Sequence, residues 1–153
     1  MNETEKNPVF RIKSQYVKDL SFENPHAPAS LTTAETSPAI EVNVGLKAQR
    51  LNEDHFEVVI NIAASAKGEI GTLFIAEIDY AGIIQLANVP EDKIEQMLFI
   101  DCAFLLFPFA RRVLADVTRD GGFPPMLLDP LDFVGLYQRN RQAQEEAKVA
   151  TNH

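Results

Sequence analysis

The sequence predicts an α+β protein: a four-stranded antiparallel sheet followed by one long and one shorter helix packed on one face of it. Two observations carry this. Through the first half of the chain, apolar and polar residues alternate with period two, the spacing of strands half-buried against a core. Beyond Pro90 the alternation gives way to a densely apolar run that ends at Gly121-Gly122, a helix stop. The 153 residues suit one domain, since a chain of this length can bury about 70% of its unfolded surface. The expected division is a flexible start over 1–8, a single domain over 9–141 and a flexible polar tail over 142–153.

In the first strand Phe10, Ile12, Tyr16, Leu20 and Phe22 alternate with Arg11, Lys13, Gln15, Asp19, Ser21 and Glu23. The second carries Ile40, Val42, Val44 and Leu46 against Glu41, Asn43, Gly45 and Lys47; the third carries Phe56, Val58, Ile60 and Ile62; the fourth carries Ile70, Phe74, Ile78 and Tyr80. Asn52-Glu53-Asp54 and Lys67-Gly68-Glu69 are turn signals, so the last three strands should form an antiparallel meander. Between the first two strands, Asn24 to Ala39 holds Pro25, Pro28 and Pro38 with few large apolar groups. A segment this long is either an inert crossover between sheet edges or the rim of a binding groove.

Pro90 suits the first turn of a helix, and Glu91 and Asp92 suit the positive end of its dipole. Met97, Leu98, Phe99, Ile100, Ala103, Phe104, Leu105, Leu106, Phe107 and Phe109 then cover every side of that helix. One sheet can cover only one side, so the rest calls for another partner, most economically the same helix of a second copy. Pro108 should kink the run. Asp101 within it needs either a partner such as Arg111 or Arg112 of a neighbouring copy or partial exposure at a subunit boundary. A second helix is expected to open at Asp129-Pro130, with Phe133, Leu136 and Tyr137 as its apolar stripe.

Chemistry is sparse. The net charge of −8 disfavours nucleic acid and anionic membrane surfaces, whose phosphates require basic residues. The start of the chain is polar and acidic, without a secretory signal, and the apolar run from Met97 to Ala110 is too short to span a bilayer. A cytoplasmic protein is expected. His26, His55 and His153 lie far apart without metal-ligand spacing. Cys102, within the apolar helix, suits packing better than nucleophilic attack. Gly68 and Gly71 belong to a hairpin rather than a phosphate-binding loop. No metal, cofactor or catalytic activity is expected. The acidic residues say more: alternation sets Asp19 and Glu23 on the polar face of the first strand, and Leu73, Ile75, Glu77 and Asp79 on the corresponding face of the fourth. Such a face, acidic with apolar points, suits a basic partner.

Three segments in fixed order carry a family resemblance: Lys18-Asp19-Leu20-Ser21-Phe22-Glu23-Asn24-Pro25-His26-Ala27-Pro28, then Leu106-Phe107-Pro108-Phe109-Ala110-Arg111, then Gly122-Phe123-Pro124-Pro125 leading to Asp129-Pro130-Leu131-Asp132-Phe133. Together they resemble SecB, the bacterial protein-export chaperone. The resemblance implies an ATP-independent holdase that keeps precursor proteins unfolded and delivers them to the SecA motor. It implies SecA docking, through SecA's basic zinc-containing carboxyl-terminal segment, at Asp19, Glu23, Ile75 and Glu77, with the end of this chain also touching SecA. It implies a client groove at Ile40, Val42, Val44, Phe133, Leu136 and Tyr137, and a dimer of dimers packed through the long helix at Phe99, Cys102, Phe104 and Leu106. Asn140 and Arg141 depart from the apolar pattern at the outer end of that groove. Two rivals are weaker. A hotdog thioesterase would place its helix within the strand order, whereas both helices here follow the sheet. A chaperone dedicated to a toxin–antitoxin client is disfavoured by the acidic set Asp19, Glu23 and Glu77.

Overall fold

In the computed structural model, which describes residues 7–33 and 37–151, four strands form one antiparallel sheet in the order β1-β4-β3-β2. Residues 1–6 of the expected flexible start over 1–8, the centre of the crossover at 34–36 and the last two residues of the expected tail lie outside the described residues. β1 is Val9–Glu23, β2 Ala39–Arg50, β3 His55–Gly68 and β4 Gly71–Ala87. The crossover from β1 to β2 thus runs between the two outer edges and contains a short helix, α1, at Ala29–Thr32. Strands β2, β3 and β4 form the expected meander. At its first turn, the side chain of Asn52 accepts from the backbone N–H groups of Asp54 and His55. The second turn falls at Glu69 and Ile70, because Gly71 supplies the positive φ of 112° that closes it.

Phase is not uniform along the ladders. β1 has two register shifts, one between Ile12 and Ser14 and one between Val17 and Asp19, each leaving an extra lysine, Lys13 or Lys18. Phe10, Ile12, Leu20 and Phe22 therefore share the helix-facing side, while Tyr16, between the shifts, turns to the other face. The expected common face for Tyr16 is corrected accordingly. A third shift, at Ala66/Lys67, leaves Leu73 as the extra residue of β4 and buries it. Leu73 leaves the acidic face to which simple alternation assigns it.

The long helix runs through α2 (Glu91–Gln96), a wide π-helical turn (Met97–Cys102) and α3 (Ala103–Asp120), with helical assignment continuous through Pro108. Leu106 and Leu114 of α3 are wholly buried against Ile60, Ile62, Ile78 and Ile84 of the sheet. Close approach depends on Gly82: a Cβ there would lie 2.9 Å from Leu106 Cδ2. The last helix, α4, spans Phe133–Thr151 rather than opening at Asp129. Two aspartates compete as caps, and Asp132 wins, accepting from the Gly135 N–H at 3.0 Å. The stretch from Phe123 to Leu131 stays non-helical and lays Leu128 and Leu131 half-buried against the core. α4 docks on the long helix, Phe133 edge-on to Phe107 and Tyr137 stacked on Phe99. From Gln138 to Ala150 every residue of α4 is exposed.

Candidate functional site

On the helix side of the sheet, at the end where β2 begins, lies an apolar trough of about 420 Å³. Its floor is Ile40, Ala66, Leu73 and Phe74; its far wall is the irregular segment from Phe123 to Asp129. Phe74, Phe22 and Phe123 form one aromatic cluster beneath it, with ring centroids 5.1 to 6.5 Å apart. Leu127 of the wall is 74% exposed and Ile40 of the floor 52%, so large apolar groups here face water. A second hollow of about 380 Å³ opens further along β2, where Phe56, Ile94, Leu98 and Phe99 meet Arg50. Arg50 lies over the Phe56 ring at 4.8 Å and pairs with Glu91 at 2.7 Å.

The opposite side of the same sheet is polar. Register pairs Glu23 with Ile75, Ser21 with Glu77 and Asp19 with Asp79 across β1 and β4, and sets Ser65, Ala63 and Asn61 of β3 beside the same three β4 residues. The Asn61 amide donates to both Glu77 (2.9 Å) and Asp79 (2.6 Å), which tethers two acidic side chains to one position. Ile75, 43% exposed, stands between Glu23 and Ser65, with Glu41 of β2 beyond. With Leu73 withdrawn, this one isoleucine is the apolar point of the acidic patch. Asp19, Glu23, Ile75 and Glu77, which the sequence reading groups, are thus brought together.

Further along that face Glu57 accepts from the Tyr16 hydroxyl and, at 2.8 Å, from Lys18. Lys18 and then Tyr16 hold the Glu57 carboxyl below its usual range. Burial and the Glu57 bond push the Tyr16 hydroxyl up to about 12, so it stays a donor. Lys18 offsets the charge of Glu57 here, and the excess negative charge lies at the Glu23–Glu77 end. Among the described residues no group of His, Cys, Asp and Glu is arranged to hold a metal ion, and no helix is long and apolar enough to cross a membrane.

A family model described as "Preprotein translocase subunit SecB" matches residues 3–144. The chain belongs to the SecB family. Proteins named protein-export protein SecB are 51% identical over 94% of this chain and 86% of the relative in Parvibaculum lavamentivorans, and 54% identical over 86% and 76% in Maricaulis maris. The relative in Bartonella bacilliformis is 41% identical over 97% of this chain and 93% of its own length. Among solved structures, a Mycobacterium tuberculosis SecB-like chaperone in complex with a ChAD peptide from an antitoxin superposes with a TM-score of 0.66 at 15% identity, over 80% of this chain and 90% of that one. The SecB fold is therefore shared with it.

Within this SecB chain, several residues expected at surfaces are internal. Phe133 and Tyr137 are buried beneath α4, which uses its narrow apolar stripe to dock on its own protomer; Leu136 is half-buried beside them. Phe133 and Tyr137 anchor the helix and leave little surface for a ligand. Ile40 does line the trough, whereas Val42 and Val44 are half-buried along β2 and pack on the core. Arg141 donates to the Tyr137 hydroxyl at 3.3 Å, and Asn140 is exposed, so the outer end of α4 is polar.

The long helix divides likewise. Cys102 and Leu106 are wholly buried against the sheet and cannot be contact residues between copies; burial pushes the Cys102 thiol up to about 12. Phe99 is half-buried against Tyr137. Phe104 is 66% exposed, and Leu105, Phe109 and, on β1, Val17 and Leu20 are exposed as well; Phe109 stacks on Tyr80, the β4 partner of Val17. Asp101 is exposed.

The trough residues that sequence reasoning missed are Leu73, Phe74, Phe123, Met126 and Leu127. For Phe123, Met126 and Leu127 the signal was present in Phe123-Pro124-Pro125-Met126-Leu127-Leu128, an apolar run whose prolines forbid a helix and which is too greasy for an ordinary turn.

Proposed function

We propose that this SecB chain is an ATP-independent export chaperone that holds unfolded precursor proteins in the trough and passes them to SecA through the acidic face. The observation that carries the reading is the division of labour between consecutive residues: Phe74 lines the trough while Ile75 stands on the acidic patch across the sheet. An exposed apolar trough suits stretches of unfolded chain with little demand on sequence. An acidic patch with one apolar point suits a basic peptide, the chemistry of SecA's zinc-containing terminal segment.

No turnover is required. A holdase binds the unfolded state and lowers its free concentration, which shifts the client's folding equilibrium by mass action. The exposed apolar residues Phe104, Leu105 and Phe109 of the long helix, with Val17 and Leu20 of β1, support assembly into a dimer of dimers, in which several troughs act on one client with added avidity. Residency in the cytoplasm follows from this role. Identities of 41 to 54% to export proteins over most of the chain favour export over the antitoxin-dedicated alternative, whose structural relative is 15% identical.

The test is a refolding assay without nucleotide, with native mass spectrometry of the same samples. Client refolding should slow in proportion to added chaperone and stop slowing near one tetramer per client. Unchanged refolding at stoichiometric chaperone, or a monomer at micromolar concentration, contradicts the reading.

A further inference from the structure

The trough wall from Phe123 to Asp129 has no regular secondary structure, yet the cavity exists only while the wall holds its place. Among the described residues two polar side chains are buried, Thr118 and Ser30, and both serve this wall. Thr118 lies in the last turn of α3, wholly buried. Its Oγ1 is 3.0 Å from the carbonyls of Leu114 and Ala115, to which it donates, and accepts from the backbone N–H of Met126 at 2.9 Å. Its own carbonyl accepts from the Phe123 N–H at 3.1 Å. At the root of the wall, Ser30 Oγ donates to Asn24 Oδ1 at 2.6 Å and the Asn24 amide donates to the Gly121 carbonyl at 3.3 Å.

A hydroxyl in such a place has a cost. Packing alone would be served by valine, which fills the same volume without burying a polar group. What valine lacks is an acceptor for Met126. We infer that Thr118 is a positioning residue for client binding: its hydroxyl sets the wall in the competent position beforehand, with the Ser30–Asn24 pair steadying the root. This rests on the proposed reading of the trough as the client site. A wall that spends part of its time detached lowers apparent affinity by the fraction lost.

The experiment titrates the assembled protein with reduced, carboxymethylated α-lactalbumin as a permanently unfolded probe, and separately with a synthetic peptide of SecA's carboxyl-terminal segment. Thr118→Val should bind the probe roughly fivefold to tenfold more weakly, the equivalent of one ordinary hydrogen bond, and should lose exchange protection at the Met126 amide. Thr118→Ser should restore both, and peptide affinity should stay at the wild-type level in each. Ser30→Ala, which loosens the root without touching α3, should shift probe affinity in the same direction, and it carries the test if Thr118→Val does not assemble. Wild-type probe affinity in both Thr118→Val and Ser30→Ala overturns the inference. So does an equal loss in Thr118→Ser, or a parallel loss of peptide binding that marks a global effect. Leu127→Asp separates the two levels: if it leaves probe affinity unchanged, the trough is not the client site and both readings fall, whereas a loss there with none at Thr118 or Ser30 removes only the positioning role.

Discussion

The acidic face and the trough share strand β4 but are held in place by different means. On the face, Asp19, Glu77, Asp79 and Asn61 are fixed by ladder register, each residue opposite a defined neighbour. In the trough, more than half the lining comes from an irregular segment whose place depends on a buried hydroxyl and an aromatic cluster. A surface set by register is altered mainly by changing its charge. A surface set by tertiary clasps can also be altered by changing residues that never touch a ligand.

The widest separation of the two surfaces should come from Phe104→Glu. In the proposed assembly Phe104 packs between copies, where an unpaired charge costs several kcal/mol, so the assembly should fall to smaller species by light scattering. Affinity for a long unfolded client should then drop about 100-fold as avidity is lost, while one-to-one binding of the SecA peptide persists. Next in size is Glu77→Lys, which replaces an attraction with a repulsion of about 2 kcal/mol in total, or roughly 30-fold in peptide affinity by calorimetry. Client affinity and the mass of the assembly should not change. Raising salt should weaken peptide binding in the same selective way, because exposed charges are screened within about 8 Å at physiological ionic strength. If Glu77→Lys impairs client and peptide equally, the two surfaces are not separate.

Leu127→Asp should weaken client binding about tenfold per trough and leave the peptide alone, since most of a leucine's apolar contact, about 1.5–3 kcal/mol when fully buried, is forfeited. The smallest effect concerns Glu57. Its carboxyl lies below the usual value in the folded protein, so the Lys18 and Tyr16 contacts stabilise at pH values above the ordinary carboxylate range and are lost as pH falls through the depressed folded value. Glu57→Gln should therefore lower stability at pH 7 by less than about 1 kcal/mol and converge with wild type in acid, as followed by urea midpoints across pH.

How much of this was legible depended on phase. The sheet, its meander and the position of the long helix follow from alternation and from Pro90 and Gly121-Gly122, and they place Asp19, Glu23, Ile75 and Glu77 on one face. Tyr16 and Leu73 were misassigned because alternation assumes an uninterrupted period of two, and a register shift carries no sequence mark as plain as a turn. Phe133 and Tyr137 were assigned to a groove by the resemblance; their helical spacing shows only that the helix docks, and both pack against the long helix. Cys102 and Leu106 were likewise placed between copies by the resemblance, and a helix apolar on every side does not itself reveal which side its own sheet takes. The trough wall was the least legible, since its apolar residues follow neither period and their place rests on a side-chain bond from Thr118 that no residue pattern marks.

The paired extra lysines of β1 set a rule for inheritance. One inserted residue rotates everything after it by half a period; two restore it, so Phe10 and Ile12 before the shifts and Leu20 and Phe22 after them share one side. Because each lysine is the extra residue of a bulge, its neighbours already face consecutive residues of β4, Ile12 and Ser14 opposite Ile84 and Ile83, so loss of Lys13 or Lys18 would straighten the ladder and leave every other side chain on its face. Single-residue length changes in β1 should therefore be tolerated at Lys13 and Lys18, whereas one residue added or lost at a regularly paired position would turn one end of the strand over.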